Sequence, residues 1–311
     1  MSGQTRPAAA LSAIVVTHDS AHVLPAWLAA LDAVIDRDQV EVCVVDSGSS
    51  EEQLALIEAQ AEGNVDVVLR LGNVGFGRAC NAGADATGGS VVLFANPDVR
   101  LRSLPQRALD GGLGDCLLGA FALDPSRPLG FERLPSFSDE ARRLLLGRWF
   151  RPYQRCAEHP AWVSGAAMLI ERATFRQLTG FSPEFFMYFE DADLCARHRR
   201  AGGALALDRD FVVEHGHGAS VGEELQRSLA GPLDGVNRLS ARRFARRHGG
   251  AWQAPLLYLL LLLSYAPRRL AAELVRERRP LAEALDYVAC LLRPGRALRR
   301  LQATDDVEAV R

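Results

Sequence analysis

Leu11-Ser12-Ala13-Ile14-Val15-Val16-Thr17-His18-Asp19 starts as an apolar, β-branched run and turns polar at its end. A short run of this kind, without polar alternation, reads as a strand covered on both faces, here residues 11–16. Residues 41–45, 65–69 and 91–95 have the same character. Between them the spacing predicts helices over residues 22–35, 50–61 and 77–87. Ser50 ahead of Glu51 and Glu52 is a start signal for the second. Strand and helix in alternation predict an α/β fold, a parallel sheet with helices on both faces.

Such sheets bind ligands beyond the carboxyl ends of their strands. The residues that follow each strand therefore matter most: Thr17-His18-Asp19, Asp46-Ser47-Gly48, Gly72-Asn73 and Asn96-Pro97-Asp98. Asp46 has the chemistry to accept hydrogen bonds from a ribose or a base edge; its structural alternative is the start of a turn. In Asn73-Val74-Gly75-Phe76-Gly77-Arg78 the glycines permit close backbone approach and the following helix offers free N–H groups to a pyrophosphate. Arg78 would add a charged contact to phosphate. The spacing is neither a Walker loop nor GxGxxG, and a plain glycine-containing loop is the alternative. Asp98, after a buried strand, suits a hard divalent cation, although an Asn-Pro-Asp turn also arises for purely structural reasons.

Farther along, residues 110–160 show no clear period and read as irregular connections with a short helix near 139–146. A strand is expected over residues 162–170, a helix over 190–200 stopped by Gly202-Gly203, and strands over 204–207 and 211–213. Glu190-Asp191-Ala192-Asp193 opens that helix behind the aromatic run Phe185-Phe186-Met187-Tyr188-Phe189. Acids in a first turn are stabilised by the helix dipole, which would keep Asp191 ionised as a general base requires. Helix-start acids without catalysis are the alternative. His215 and His217 lie among glycines near a strand end, where an imidazole could complete a metal shell begun by Asp98.

The 311 residues suit one large domain with an appendage. A formal net charge of −2 gives no whole-chain argument for nucleic-acid binding. All basic residues other than histidine are arginine. Six cysteines without a CxxC argue against a zinc ribbon or a redox pair, and those in apolar runs read as buried thiols of a reducing compartment. With no apolar signal core at the start, the cytoplasm is the expected location. The domain division expected is 1–225 and a basic, Leu-rich helical extension over 226–311. Within the extension, residues 249–267 carry no charge and are flanked by arginines. The apolar core is too short to cross a bilayer. It suits a peripheral segment on the inner face of the cell membrane, a core helix, or an interface with a second copy in a homodimer.

Taken in order, these motifs resemble the family 2 inverting glycosyltransferases, and within them the bacterial rhamnosyltransferase branch. The resemblance rests on Val16-Thr17-His18-Asp19-Ser20, Val45-Asp46-Ser47-Gly48-Ser49-Ser50, residues 73–83, Asn96-Pro97-Asp98-Val99, Trp162-Val163-Ser164-Gly165, Gly180-Phe181, residues 186–194 and residues 215–220. It implies a GT-A-type single domain with a Rossmann-like, mostly parallel sheet and a C-terminal helical extension. It also implies transfer of a sugar, first rhamnose from dTDP-rhamnose, to a glycan or lipid-linked acceptor in cell-surface polysaccharide assembly. Thr17, Asp19, Asp46, Asn73, Gly75, Arg78, Asn96 and Asp98 would face the nucleotide sugar. Asp98 and His215 would hold Mg²⁺ or Mn²⁺, Asp191 would act as base beside Glu190, and Trp162, Ser164 and Gly165 would shape the acceptor site. His18-Asp19 stands where the family commonly has Tyr-Asn, and Asn96-Pro97-Asp98 where it has DxD. Two other classes compete: a nucleotide-binding oxidoreductase, disfavoured by the missing GxGxxG, and a catalytically silent subunit of an assembly complex, disfavoured by Glu190-Asp191.

Overall fold

The computed structural model describes residues 9–110, 112–124, 128–146, 154–156, 159–215, 223–277 and 279–302. The chain forms two compact units. The first comprises residues 1–133, 155–183 and 190–221, and the second residues 134–154, 184–189 and 222–311.

The first unit begins with β1 (Leu11–Thr17), α1 (Leu24–Asp32), β2 (Val40–Ser47), α2 (Glu51–Ala61), β3 (Val67–Leu71), α3 (Phe76–Ala86) and β4 (Val91–Ala95). β1 is buried along its whole length, and so is β4, which is why neither shows polar alternation. β1 pairs in parallel with β2 and with β4, and β2 pairs in parallel with β3. The third strand lies two residues later than the hydrophobic run suggests, because its alternating exposure marks an edge strand with one wet face.

Beyond β4 the sequence was least informative. β5 (Val99–Ser103) and α4 (Gln106–Leu109) lead to β6 (Cys116–Ala122), a central strand inside the stretch expected to be irregular. The glycines and prolines around β6 hide a short buried run whose partners are all distant in sequence. Two-residue strands β7 (Gly130–Phe131), β8 (Arg155–Cys156) and β9 (Trp162–Val163) make a small antiparallel sheet, with β7 between the others. The strand expected over 162–170 is thus two pieces, β9 and β10 (Ala167–Glu171), separated at Ser164-Gly165-Ala166. After α6 (Arg172–Gln177) and α7 (Glu190–Arg200), the two expected strands at 204–213 are one, β11 (Ala204–His215), carrying a bulge after Asp208. Gly202, at φ +91°, gives the left-handed residue that stops α7.

The main sheet therefore has eight strands in the order β3-β2-β1-β4-β10-β6-β11-β5. It is mostly parallel in its first half; β10 runs antiparallel to β4 and β6, and β5 antiparallel to β11. α3 lies close on the sheet because Gly83 has no side chain. A Cβ there would stand 2.7 Å from Ile14 Cγ2 and 3.0 Å from Val45 Cγ2.

The second unit is helical. It contains α5 (Phe137–Leu146), α8 (Glu223–His248), α9 (Gln253–Leu260), a π-helical turn (Leu261–Tyr265), α10 (Ala266–Val275), α11 (Leu281–Leu292) and α12 (Pro294–Gln302). One apolar cluster joins Leu144 of α5 to Ala245, Leu257 and Leu261, and a second joins Phe186 to Val236, Cys290, Ala297 and Leu301. A buried ionic group lies among them: Arg238 is within 3.0 Å of Asp234 and 3.6 Å of Glu140, and Tyr265 donates to Asp234 at 2.9 Å. Among the described residues no helix is long and apolar enough to cross a membrane.

Replacing Gly83 by valine should separate α3 from β1 and β2. The expected loss is about 1–3 kcal/mol, read as a lower urea midpoint.

Candidate active site

Four loops meet at the carboxyl ends of β1 to β4. The first two are tied by carboxylates. Asp46, buried at the end of β2, accepts from Thr17 Oγ1 at 3.3 Å, from Ser49 N at 3.0 Å and from the Ser49 hydroxyl. Asp19, in the left-handed region at φ +49°, accepts from Ser50 N at 2.9 Å and from Ser50 Oγ at 3.1 Å. Its own N–H donates to Ser49 Oγ at 2.9 Å. His18 Nδ1 lies 3.0 Å from Ser47 O. Asp46 and Asp19 thus do the turn-forming work that their residue types allow, and Ser50 caps α2 through Gln53 N.

Gly48 brings the β2 and β3 loops together. At φ +78°, any Cβ would also lie 2.6 Å from Asn73 N. Gly75, at φ +84°, then starts α3 and leaves its first N–H groups at this edge of the sheet. Arg78, the third residue of that helix, is exposed and donates through Nε and Nη2 to Pro183 O at 3.3 and 2.8 Å. Part of its fork therefore holds the loop ahead of α7. Sequence reasoning missed this role, and also Asn81, which grips Phe181 through both its N–H and its carbonyl at 2.9 and 2.8 Å.

Asn96 and Asp98 form the turn between β4 and β5, with Asn96 N donating to Ala166 O at 2.9 Å. Asp98 is buried, and its Oδ1 lies 3.4 Å from His215 Nε2. Pairing of β5 with β11 sets His215 opposite Val99 and so produces this approach. One oxygen donor and one imidazole nitrogen, facing each other in a largely dry setting, fit a divalent cation whose remaining ligands come from a phosphate. Among the described residues they do not form a protein cluster of three ligands. His217 lies outside the described residues.

The acid pair is built by the turn that splits β9 from β10. Gly165 N donates to Asp191 Oδ2 at 3.0 Å, and Asp191 Oδ1 accepts from Ala192 N at 2.7 Å. A Cβ on Gly165 would lie 3.4 Å from Asp191 Cβ and 3.3 Å from Phe76. Glu190 is buried beside Gly77, whose own Cβ would be 3.5 Å from Glu190 Cβ. Glu190 Oε2 makes no hydrogen bond among the described residues. Tyr188 and Phe189, immediately before the pair, both have left-handed backbones, at φ +67° and +68°. Strain of this kind concentrates at functional sites. Of the residues expected to shape an acceptor site, Trp162 stacks on Phe131 with centroids 3.8 Å apart and donates to Arg133 O at 3.0 Å. Ser164 Oγ accepts from Ala166 N at 3.3 Å.

Burial pushes both acids upward. Asp191 rises to about 6, held back by the N–H groups of Gly165 and Ala192. Glu190 rises to about 8, through burial first and the Asp191 charge second. Desolvation outweighs the helix dipole at Asp191, and the neighbouring Asp191 charge makes Glu190 the weaker acid of the two.

A profile of Glycosyl transferase family 2 matches residues 12–103. That span is a glycosyl transferase family 2 domain. The matched stretch covers β1 to β5 and the strand-end residues from Thr17 to Asp98 described above. N-acetylglucosaminyl-diphospho-decaprenol L-rhamnosyltransferase of Mycobacterium tuberculosis, from strains CDC 1551 / Oshkosh and ATCC 25618 / H37Rv, is similar. Each is 28% identical over 284 residues, covering 80% of this chain and 89% of the relative. Among solved structures, a mannosyltransferase from Pyrobaculum calidifontis, in complex with GDP-Man and Mn²⁺, shares the fold of this chain. It gives a TM-score of 0.51 at 18% identity, over 97% of this chain and 86% of that one.

NMR titration of the side-chain carboxyls should show Asp191 changing near pH 6 and Glu190 near pH 8. In Glu190→Gln, a neutral mimic of the protonated acid, the Asp191 midpoint should stay where it is. A midpoint near the ordinary 3.9 would show Asp191 to be solvated instead.

Proposed function

We propose that the chain transfers a sugar, with inversion, from a nucleoside diphosphate donor to a lipid-linked acceptor in cell-surface polysaccharide assembly, with dTDP-rhamnose the first donor to test. Residues 1–225 would be the GT-A domain and residues 226–311 its extension. The observation that carries the reading is Asp191. It is a half-buried carboxylate, ionised at neutral pH and fixed by Gly165 N, on the same unit as the nucleotide-side loops. The donor class follows from the family; the sugar and acceptor are read from the name of the mycobacterial relative.

In this reading the Gly75–Phe76 start of α3 and Arg78 face the diphosphate, and Thr17, Asp19, Asp46 and Asn73 line the nucleoside side. Asn96 and Asp98 stand next to the diphosphate, and Asp98 with His215 would hold Mg²⁺ or Mn²⁺. A bound cation would offset the charge that develops on the leaving diphosphate. Asp191 takes the proton of the acceptor hydroxyl as its oxygen bonds to the anomeric carbon, while the bond to the diphosphate breaks on the opposite face. A single displacement inverts the configuration. Glu190, protonated and with Oε2 unbonded among the described residues, donates a hydrogen bond to a sugar hydroxyl. Trp162, Ser164 and Gly165 border the acceptor. A lipid-linked acceptor would place the work at a membrane surface.

Two measurements test this. Asp191→Asn should keep donor binding and lose transfer by roughly 10²-fold or more. Its wild-type counterpart should gain activity as the pH rises through about 6. Asp98→Ala and His215→Ala should each weaken cation-dependent donor binding, non-additively if they share one ion. Full activity in excess EDTA would remove the metal, and normal turnover of Asp191→Asn would remove the base.

A further inference from the structure

The uncharged stretch 249–267 proves to be two-faced. Leu257 and Leu261 point into the second unit, against Leu144 and Ala245. The opposite side, continued along α10, is exposed: Trp252, Leu256, Leu259 and Leu263 follow at helical spacing, then Leu274 and Val275. Trp252 is 60%, Leu263 72% and Val275 78% exposed. Of the exposed residues between positions 251 and 275, Arg268 alone is charged. At about 1.5 Å per residue the stripe runs for some 35 Å, far more than scattered surface leucines.

Its surroundings are strongly basic. Exposed Arg246 and Arg247 precede the stripe, Arg268 interrupts it and Arg276 ends it. Among the described residues of 238–300, seven arginines and two carboxylates, Glu277 and Glu283, are exposed, whereas the chain as a whole is slightly acidic. An apolar stripe with a tryptophan at one end and cations along its edges is complementary to an anionic bilayer surface. Acyl chains take the leucines, the headgroup region takes the indole, and anionic phosphates take the guanidinium groups.

We infer that α9, the π-helical turn and α10 lie in the surface of an anionic membrane, with Trp252, Leu256, Leu259, Leu263, Leu274 and Val275 immersed. The surface stands apart from the transferase reading, since only the exposure and charge of the second unit carry it. It is a docking face and not a span, in keeping with the absence of a helix long and apolar enough to cross among the described residues.

The test uses the intact chain and vesicles of phosphatidylcholine, with or without phosphatidylglycerol. The chain should sediment with the anionic vesicles and be partly released by salt. Leu259→Glu with Leu263→Glu should lower partitioning by roughly tenfold or more. Both positions are exposed, so the melting temperature should not change. Arg246→Gln with Arg276→Gln should lower the preference for phosphatidylglycerol. In the unsubstituted chain, bromine-labelled acyl chains should quench tryptophan emission, and Trp252→Phe should remove most of that quenching. Indifference to every vesicle, or equal binding by the leucine variant, overturns the inference. So does a dimer that the leucine substitutions split while vesicles are ignored; the face then belongs to a second copy. Donor binding, followed separately by thermal shift, reports on the transferase reading whichever way the vesicles answer.

Discussion

A strand covered on both faces has no room for a polar side chain except at its ends. β1, β2 and β4 obey that constraint almost without exception, and the site follows from it. Thr17, Asp46 and Asn96 fall where the apolar runs end, the first two still buried, and parallel pairing brings those ends to one edge of the sheet. The loops are then short enough to be laced together by Asp19, Asp46 and Ser49, and Gly48 lets the third loop close on the second. The residues that face the donor in the proposed reading thus also hold the loops in shape. Removing a single one of them would disturb position as well as contact.

The acid pair depends on the same sheet through a longer route. β10 runs against β4, and the break before it presents Gly165 N to Asp191. Burial raises both carboxyls, and their unequal surroundings separate them. Asp191 is held down by the backbone N–H groups of Gly165 and Ala192, whereas Glu190 is pushed up further by the Asp191 charge. Two neighbouring acids are thereby separated in acidity, as one base and one donor require.

Local signals served well where structure was local. The runs at β1, β2 and β4, the Ser50 cap and the Gly202 stop are decided within a few residues, and they were legible. β6 was not, because its partners β10 and β11 lie some fifty and ninety residues away and its own seven residues follow Gly112 and Gly114 and contain Gly119. The approach of Asp98 to His215 is likewise set by β5–β11 pairing; β5 itself carries the edge-strand alternation of Val99 and Leu101 with Arg100 and Arg102, but its partner lies more than a hundred residues away. Asp46, Asp98 and Glu190-Asp191 could be nominated as chemistry-bearing types at strand or helix ends. Which atoms meet depended on pairing that no short window contains. The part played by Arg78 in fastening Pro183 illustrates the point, since a cation in a glycine loop suggested phosphate alone.

The chain leaves its first unit twice before finishing it. Residues 134–154 and 184–189 pack in the helical unit, where Leu144 meets Ala245 and Leu257, Phe186 meets Val236 and Cys290, and Ser240 donates to Met187 O at 2.8 Å. Their partners are synthesised last. On the ribosome both segments therefore wait, with their apolar side chains uncovered, until α8 to α12 have emerged, and the second of them is joined by one peptide bond to Glu190. The aromatic run ahead of the acid pair is consequently among the last parts of the molecule to find its place. Nascent chains halted before α8 would be prime clients for chaperones that bind exposed apolar segments.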